Sequence, residues 1–152
     1  MPRDTPPPDL LHHVAPIFED AAFANHLGIV LTAAGPGWCE TTLVAADAHL
    51  QQHGFVHAGV ITTLADHTAG GAARASVPPG QDVLTIEFKI NFLRPATGRR
   101  FVCRGETLRA GRRIVVAESA VYAADGARRL VAKCLSTLTV MPQRERPGPA
   151  RD

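Results

Sequence analysis

Residues 55–75 read FVHAGVITTLADHTAGGAARA, and this stretch decides the fold. At 100° per residue, one set of its apolar side chains forms an arc on one side of a helix. They are Val60, Ile61, Leu64, Ala65, Ala72 and Ala75. The following VPPG cannot continue a helix, because proline lacks an N–H and clashes with the preceding turn. The spacing therefore predicts a long helix over residues 57–75 that packs through this apolar side.

The opposite side of the predicted helix carries a single acid, Asp66, among small residues. Its neighbours there are Thr62, Thr63, Ala69, Gly70 and Ala73. Each glycine in a helix interior costs roughly 0.5–1 kcal/mol relative to alanine, so we interpret the Gly70–Gly71 pair as a site where another chain approaches closely. A carboxylate at such an interface would have a raised pKa and could serve as a base or nucleophile. A solvated surface aspartate is the alternative.

The rest of the chain predicts an α+β fold, in which an antiparallel β-sheet lies against one long central helix. A short helix in residues 16–27 should end at Gly28, and strands should follow at residues 29–34 and 38–46. Four further strands are predicted after the long helix. In TIEFKINFL, alternation puts Ile86 and Phe88 on one face and places Thr85 on the other.

Length and composition indicate one domain at residues 10–141, with proline-rich disordered tails at 1–9 and 142–152. No apolar run approaches the ~20 residues that span a membrane, and the N-terminus lacks a signal sequence. The three cysteines, Cys39, Cys103 and Cys134, are far apart, which is typical of reduced core thiols. We therefore expect a cytoplasmic protein without a membrane partner. A net charge of +2 does not predict nucleic-acid binding.

The segment before the long helix could polarise a carbonyl group. Free N–H groups at His57-Ala58-Gly59 would point out of the predicted helix start and donate to an oxygen. Gln51 and Gln52 supply neutral amides nearby. Histidines recur at positions 49, 53 and 57, but Gly54 opposes a continuous helix there, and we predict no metal and no cofactor.

Seven arginines occur between residues 94 and 113. They could be solvated strand ends, or they could form an anion site, since arginine binds phosphate well. Arg112 and Arg113 are the candidates for a bound phosphate, because a turn leaves long side chains free to reach a ligand.

The segment HAGVITTLADHTAGGAA resembles the HGG-x6-D motif of hotdog-fold acyl-CoA thioesterases of the phenylacetate-pathway (PaaI-type) group. His57, Ala58, Gly59 and Asp66 match its spacing, with Ala58 in place of the first glycine. LTIEFKINFLRPA is similar to the strand that follows the helix in that family. The resemblance extends over residues 15–141 and includes the order of helices and strands.

The resemblance implies a homodimer, usually paired into a homotetramer, that hydrolyses acyl-CoA at sites shared across the dimer interface. It gives Asp66 the role of nucleophile or general base and the amide of Ala58 or Gly59 the role of polarising the thioester carbonyl. Gln51, where many members have asparagine, would orient water or substrate, and Thr85 would help place the water. The complete predicted site also contains His57 and the substrate-contacting residues Thr62, Thr63, Arg112 and Arg113.

Two other functions fit the same sequence. A hotdog hydratase or dehydratase would place an aspartate and a histidine together at the helix start, whereas here Asp66 is mid-helix and His67 points about 100° away from it. A non-catalytic acyl-CoA-binding protein is the second alternative. Turnover of a panel of acyl-CoA esters separates this binder from the hydrolase.

Overall fold

The computed structural model describes residues 9–145. Short helices α1, α2 and α3 precede strands β1 and β2, and the long helix α4 is followed by strands β3 to β6. The bounds are α1 Leu10–Val14, α2 Pro16–Glu19, α3 Ala22–Leu27, β1 Val30–Gly35, β2 Trp38–Val44, α4 Ala58–Arg74, β3 Gln81–Phe92, β4 Arg100–Ala110, β5 Ile114–Ala123 and β6 Arg129–Pro142. A single 3₁₀ turn, Asp47–His49, lies between β2 and α4.

The ends of the domain extend slightly beyond the predicted 10–141. Asp9 caps α1 by accepting a hydrogen bond from the His12 N–H. Pro142 belongs to β6, and the Gln143 N–H donates to the Gly80 carbonyl. The rest of the predicted disordered tails, residues 1–8 and 146–152, lies outside the described residues. No helix in the described part of the chain is long and apolar enough to cross a membrane.

The predicted N-terminal helix is interrupted. Ala21 adopts an extended conformation between α2 and α3. The Asn25 side-chain amide donates to the carbonyl of Glu19 at 2.8 Å, which satisfies one of the carbonyls freed at the end of α2. Gly28 then ends α3 in the left-handed conformation with φ of 80°, as the sequence predicts.

The six strands form one antiparallel sheet in the order β1-β2-β4-β5-β6-β3. The predicted arrangement of one long helix against an antiparallel sheet is confirmed. β1 and β3 are the two edges of the sheet, and each pairs with a single neighbour within the chain. The sheet contacts α4 through five of its strands, β2 to β6.

The apolar side of α4 is buried as predicted, but the buried arc is wider than the sequence indicates. Ala69 and Ala73, predicted on the face of Asp66, are fully buried against Val115, Ala117 and Leu138 of β5 and β6. Spacing along a helix does not indicate how far the sheet extends around it, and here five strands contact α4. All three cysteines are free and buried, as predicted. Burial raises the pKa of the Cys103 thiol to about 12.

The two glycines of α4 have different surroundings. A Cβ atom on Gly71 would lie 2.6 Å from the Cys39 Sγ and 2.9 Å from the Phe18 ring, so Gly71 is required by packing within the chain. A Cβ on Gly70 would meet no atom within 4 Å. The interpretation of the pair as a contact with another chain was therefore wrong for Gly71, and it applies at most to Gly70.

We predict that Gly71→Ala lowers the free energy of unfolding by about 1–3 kcal/mol, because an added methyl group must displace Phe18 or Cys39. Gly70→Ala is the matched control, and it should keep or raise stability by up to ~1 kcal/mol through better helix propensity. Urea denaturation followed by circular dichroism measures both changes. An equal loss in the two variants would contradict the packing role assigned to Gly71.

Candidate active site

Asp66 lies in the third turn of α4, half-buried between the helix and the edge strand β3. Its Oδ1 atom accepts a hydrogen bond from the Thr85 hydroxyl at 3.0 Å. Helix α4 and strand β3 thus meet at a carboxylate–hydroxyl pair. A carboxylate held in this way has its orientation fixed by a neighbouring donor.

A β-bulge places Thr85 next to Asp66. In the β3–β6 ladder, Thr85 pairs with Leu138 while Glu87 pairs with Thr137, so Ile86 has no partner. The extra residue shifts the alternation, and Ile86 is 57% exposed. Thr85 and Phe88 therefore both face the helix. The expected placement of Thr85 on the opposite face from Phe88 was wrong, because simple alternation does not anticipate the bulge.

Burial raises the pKa of Asp66 above its ordinary value of 3.8, and it outweighs the opposing effects of the Thr85 hydrogen bond and of nearby His67. The Cys134 thiol also lies close enough to Asp66 to interact electrostatically with its carboxylate. Its own pKa is raised, by burial above all. The environment of Asp66 thus makes its carboxylate a stronger base than a solvated aspartate.

His67 does not pair with Asp66, although it is the next residue. Its Nε2 donates to the Ile17 carbonyl at 2.8 Å, and its ring meets the Phe18 ring edge-on at 4.8 Å. Desolvation lowers the pKa of His67. Consequently this histidine anchors the N-terminal helices to α4 and is not the hydrogen-bonding partner of Asp66.

The start of α4 is capped by its own histidine. The His57 Nδ1 accepts from the Gly59 N–H at 2.8 Å, so this amide is already engaged. Within residues 9–145, the neighbouring Ala58 N–H donates to no protein acceptor. Ala58 is the first residue of α4 and is exposed. Of the two amides predicted to polarise a carbonyl, only that of Ala58 is available in this arrangement.

The loop before α4 is held by its own hydrogen bonds. The Gln51 N–H donates to the Phe55 carbonyl at 2.8 Å, and the Gln51 Oε1 accepts from the His53 N–H. The Gln51 side chain therefore has its NH₂ group left for a ligand. His49 is buried and accepts from the Ala46 N–H, so it is a structural residue of the loop. Among the described residues, no group of three potential ligands could hold a metal ion.

A cleft of about 390 Å³ lies between this loop, the start of α4 and the end of β3. Predicted residues Gln51, His57 and Ala58 line it. Its apolar walls were not predicted from the sequence, and they include Phe55, Ile61, Phe92 and Val131. Arg94, the first of the seven arginines considered for an anion site, also lines the cleft. The alternation of β3 already placed Phe92 on the face of Phe88, which was the available signal for this wall.

The cleft and Asp66 form two separate parts of the predicted site within one protomer. Asp66 lies eight positions after Ala58 along α4, which corresponds to about 12 Å at 1.5 Å per residue. Thr62 and Thr63 lie between them, and the Thr63 hydroxyl donates to the Gly59 carbonyl at 2.8 Å. A single bound carbonyl group cannot contact Ala58 and Asp66 of the same chain.

The arginines do not form one cluster. Arg99 contacts Asp47 at 2.6 Å, and Arg104 stacks on the Trp38 ring at 3.7 Å. Arg112 and Arg113 lie in the β4–β5 turn, at the opposite end of β4 from the segment that lines the cleft. The 11 residues of β4 separate the two ends by about 35 Å. Within one protomer, the structure therefore does not bring Arg112 and Arg113 to the cleft.

We predict that Asp66→Asn raises the melting temperature at pH 7. The pKa of Asp66 is raised in the folded protein, so folding disfavours the charged carboxylate above that pKa, and asparagine mimics the protonated acid. The difference from the wild type should shrink as the pH falls through the raised pKa and vanish below 3.8. Thermal melts from pH 3 to 8 measure this difference in melting temperature. If Asp66→Asn is less stable than the wild type at pH 7, the raised pKa of Asp66 is contradicted.

Comparison with known proteins identifies the family. The profile of the thioesterase superfamily matches residues 53–129, about half of the chain. A thioesterase family protein of Silicibacter pomeroyi has a similar structure, with 36% identity, a TM-score of 0.84 and alignment over 88% of this chain and 99% of that one. A Streptococcus mutans protein solved with acetyl CoA aligns at 25% identity and a TM-score of 0.68, over 77% and 91% of the two chains.

The PaaI protein of Escherichia coli, from the phenylacetic acid degradation operon, shares the fold at 19% identity, with a TM-score of 0.81 over 90% of this chain and 96% of its own. Curated relatives named as esterases match shorter segments, and this chain spans only 49–67% of their lengths. The resemblance to hotdog thioesterases, expected from the helix and the strand after it, is confirmed. The chain has the hotdog fold and belongs to the thioesterase superfamily, whose members include thioester-hydrolysing enzymes.

Proposed function

We propose that this protein hydrolyses acyl-CoA thioesters to a free carboxylic acid and CoA. The observation that carries the proposal is the half-buried carboxylate of Asp66 on α4, which accepts a hydrogen bond from Thr85 of β3. The first residue of the same helix, Ala58, lines a cleft. Membership of the thioesterase superfamily supports the reaction class. The acetyl CoA bound to the Streptococcus mutans protein supports a CoA ester as substrate.

We propose that each active site combines Ala58 of one protomer with Asp66 of the partner subunit. The separation of about 12 Å between these residues within one chain supports a shared site. A dimer interface at β3 is consistent with the sheet, because β3 is a 12-residue edge strand with exposed apolar side chains. These side chains include Leu84, Ile86, Phe88 and Phe92.

The proposed reaction begins with the thioester carbonyl oxygen accepting a hydrogen bond from the Ala58 N–H. Asp66 then acts in one of two ways. As a general base, it takes a proton from a water molecule whose oxygen attacks the carbonyl carbon. As a nucleophile, it attacks the carbon itself and forms an anhydride that water cleaves. In either route the C–S bond breaks, the CoA thiolate leaves and takes up a proton, and the acid is released.

Other residues of the proposed site orient the reactants. The Thr85 hydroxyl holds Asp66, while the Gln51 NH₂ group is available to bind water or substrate. His57 fixes the helix start by binding the Gly59 N–H. The apolar cleft walls would receive the acyl group, and Thr62 and Thr63 would contact substrate between the two halves of the site. No metal or redox cofactor takes part in this proposal.

We expect Asp66→Asn to lower kcat by about 100-fold or more, because a base or nucleophile is removed while the fold is kept. Ala58→Pro should lower kcat by about 100-fold as well, since it deletes one carbonyl-binding N–H. Proline is tolerated at the first position of a helix, so the fold should survive. Ala58→Gly retains the N–H and is the matched control. Free-thiol release from a panel of acyl-CoA esters measures turnover.

Mixing the two inactive variants tests the shared site. After unfolding and refolding together, about half of the dimers should be mixed, and each would contain one intact site of two, giving about 25% of wild-type activity. If Ala58 and Asp66 of the same chain formed the site, mixing would restore nothing. Normal turnover by Asp66→Asn alone would remove Asp66 from the mechanism.

The CoA phosphates would be bound by arginine, and two candidates differ in position. Arg94 lines the cleft, whereas Arg112 and Arg113 reach it only if they belong to the partner subunit.

We predict that KM for acyl-CoA rises with salt while kcat changes little, since exposed charges are screened within roughly 8 Å at physiological ionic strength. Arg94→Gln and the Arg112→Gln/Arg113→Gln double variant identify the contact. The responsible change should raise KM for the CoA ester but not for the matching pantetheine ester; equal effects on both esters contradict phosphate binding.

The wider expectations from the resemblance have their own tests. Sedimentation velocity distinguishes the expected homodimer and homotetramer, and cell fractionation tests the cytoplasmic location. A non-catalytic binder would retain acyl-CoA but release no thiol from any ester in the panel. The hydratase alternative is disfavoured by the contact between His67 and Ile17, which takes the histidine away from Asp66.

A further inference from the structure

A row of small residues crosses the sheet beneath the turn of α4 that carries Asp66. The strand register aligns Cys39 with Gly105, Gly105 with Ser119, and Ser119 with Cys134. A Cβ atom on Gly105 would lie 2.5 Å from the Thr68 carbonyl oxygen. At Gly105 the helix backbone therefore lies directly on the sheet, with no side chain between them.

Two members of this row donate hydrogen bonds to carbonyls of α4. The Ser119 hydroxyl donates to the Ala65 carbonyl at 2.8 Å, and the Cys39 thiol donates to the Thr68 carbonyl at 3.2 Å. Ser119 is 1% exposed, so its hydroxyl has no access to bulk water. A buried hydroxyl costs folding free energy unless it is hydrogen-bonded. Alanine at this position would have no hydroxyl to bury and would avoid that cost.

The Ala65 carbonyl belongs to the same planar peptide unit as the Asp66 N–H. A hydrogen bond to this carbonyl therefore restrains the plane from which Asp66 projects, and with it the rotation of α4 about its axis. The Asp66 carboxylate must lie within hydrogen-bonding distance of Thr85, which belongs to a different element. A small rotation of the helix would break this contact.

We propose that Ser119 is a positioning residue for Asp66, which it aligns by anchoring the Ala65–Asp66 peptide unit to the centre of the sheet. The inference deepens the proposed function and rests on it for its kinetic consequences. Ser119 itself touches neither substrate nor reacting atoms. Its effect is transmitted through one peptide unit, in a part of the core where the backbone of the helix contacts the backbone of the sheet.

Another hydrogen bond of the same kind supplies a matched control. The Thr107 hydroxyl of β4 donates to the Ala72 carbonyl at 3.0 Å, about two helical turns beyond Asp66. Thr107→Val removes this donor with little change in volume. Ser119→Ala removes the donor beside Asp66. The Thr107 hydroxyl also accepts a hydrogen bond from the Ser76 hydroxyl at 2.8 Å, so Thr107→Val removes two hydrogen bonds. Urea denaturation should show a loss of about 1 kcal/mol in Ser119→Ala and an equal or larger loss in Thr107→Val.

The kinetic test compares these variants with Ser119→Thr, which keeps the hydroxyl. Ser119→Ala should lower kcat by about 10-fold with KM within a factor of about two, because a misaligned base slows the chemical step more than binding. Thr107→Val should leave kcat unchanged. Ser119→Thr should retain kcat within about threefold even if its added methyl group lowers the melting temperature. Equal effects of Ser119→Ala and Thr107→Val on kcat would overturn the proposal.

A second readout does not depend on turnover. The pKa of the Asp66 carboxyl can be followed by ¹³C NMR in the wild type and in each variant. The Thr85 hydrogen bond lowers this pKa, so loosening it in Ser119→Ala should raise the pKa further, whereas Thr107→Val should leave the pKa unchanged. An unchanged pKa in Ser119→Ala overturns the positioning role. If the wild type hydrolyses no ester while the pKa shift is found, the proposed function fails and the positioning of Asp66 stands.

Discussion

The packing of α4 against five strands of one sheet is the interaction on which the rest of this structure depends. It buries the apolar arc of the helix and extends that burial to Ala69 and Ala73. It also requires small residues wherever backbones meet, as at Gly71 against Phe18 and at Gly105 against the Thr68 carbonyl. Close packing of this kind fixes both the distance of α4 from the sheet and its rotation about its own axis, whereas a looser apolar contact would leave them variable.

This packing places a carboxylate where it opposes folding. Asp66 is half-buried beside the sheet, and burial raises its pKa despite the Thr85 hydrogen bond. Such a group stabilises the fold less than a neutral residue would, and sites of this kind are typical of function rather than of structure. The cost is tolerable because the surrounding contacts fix the helix from several sides.

The proposed division of the active site between two protomers follows from the helix geometry. A rise of 1.5 Å per residue keeps the Ala58 amide about 12 Å from Asp66. No side-chain movement closes that gap, so both groups can act on one carbonyl only if a second chain supplies one of them. The long edge strand β3, with its exposed apolar side chains, provides a surface on which a second chain could be placed.

The sequence by itself determined the long helix, the order of helices and strands along the chain and Asp66 as the candidate acid, because periodicity and the end signals Gly28 and VPPG are local properties of the chain. The tertiary structure decided what depends on neighbours distant in sequence. Thr85 reaches Asp66 only because Ile86 is bulged from a ladder with β6, and the different environments of Gly70 and Gly71 depend on where Phe18 packs. Hydrophobic patterns record which residues are buried, but they do not record register shifts between strands or which chain supplies a contact.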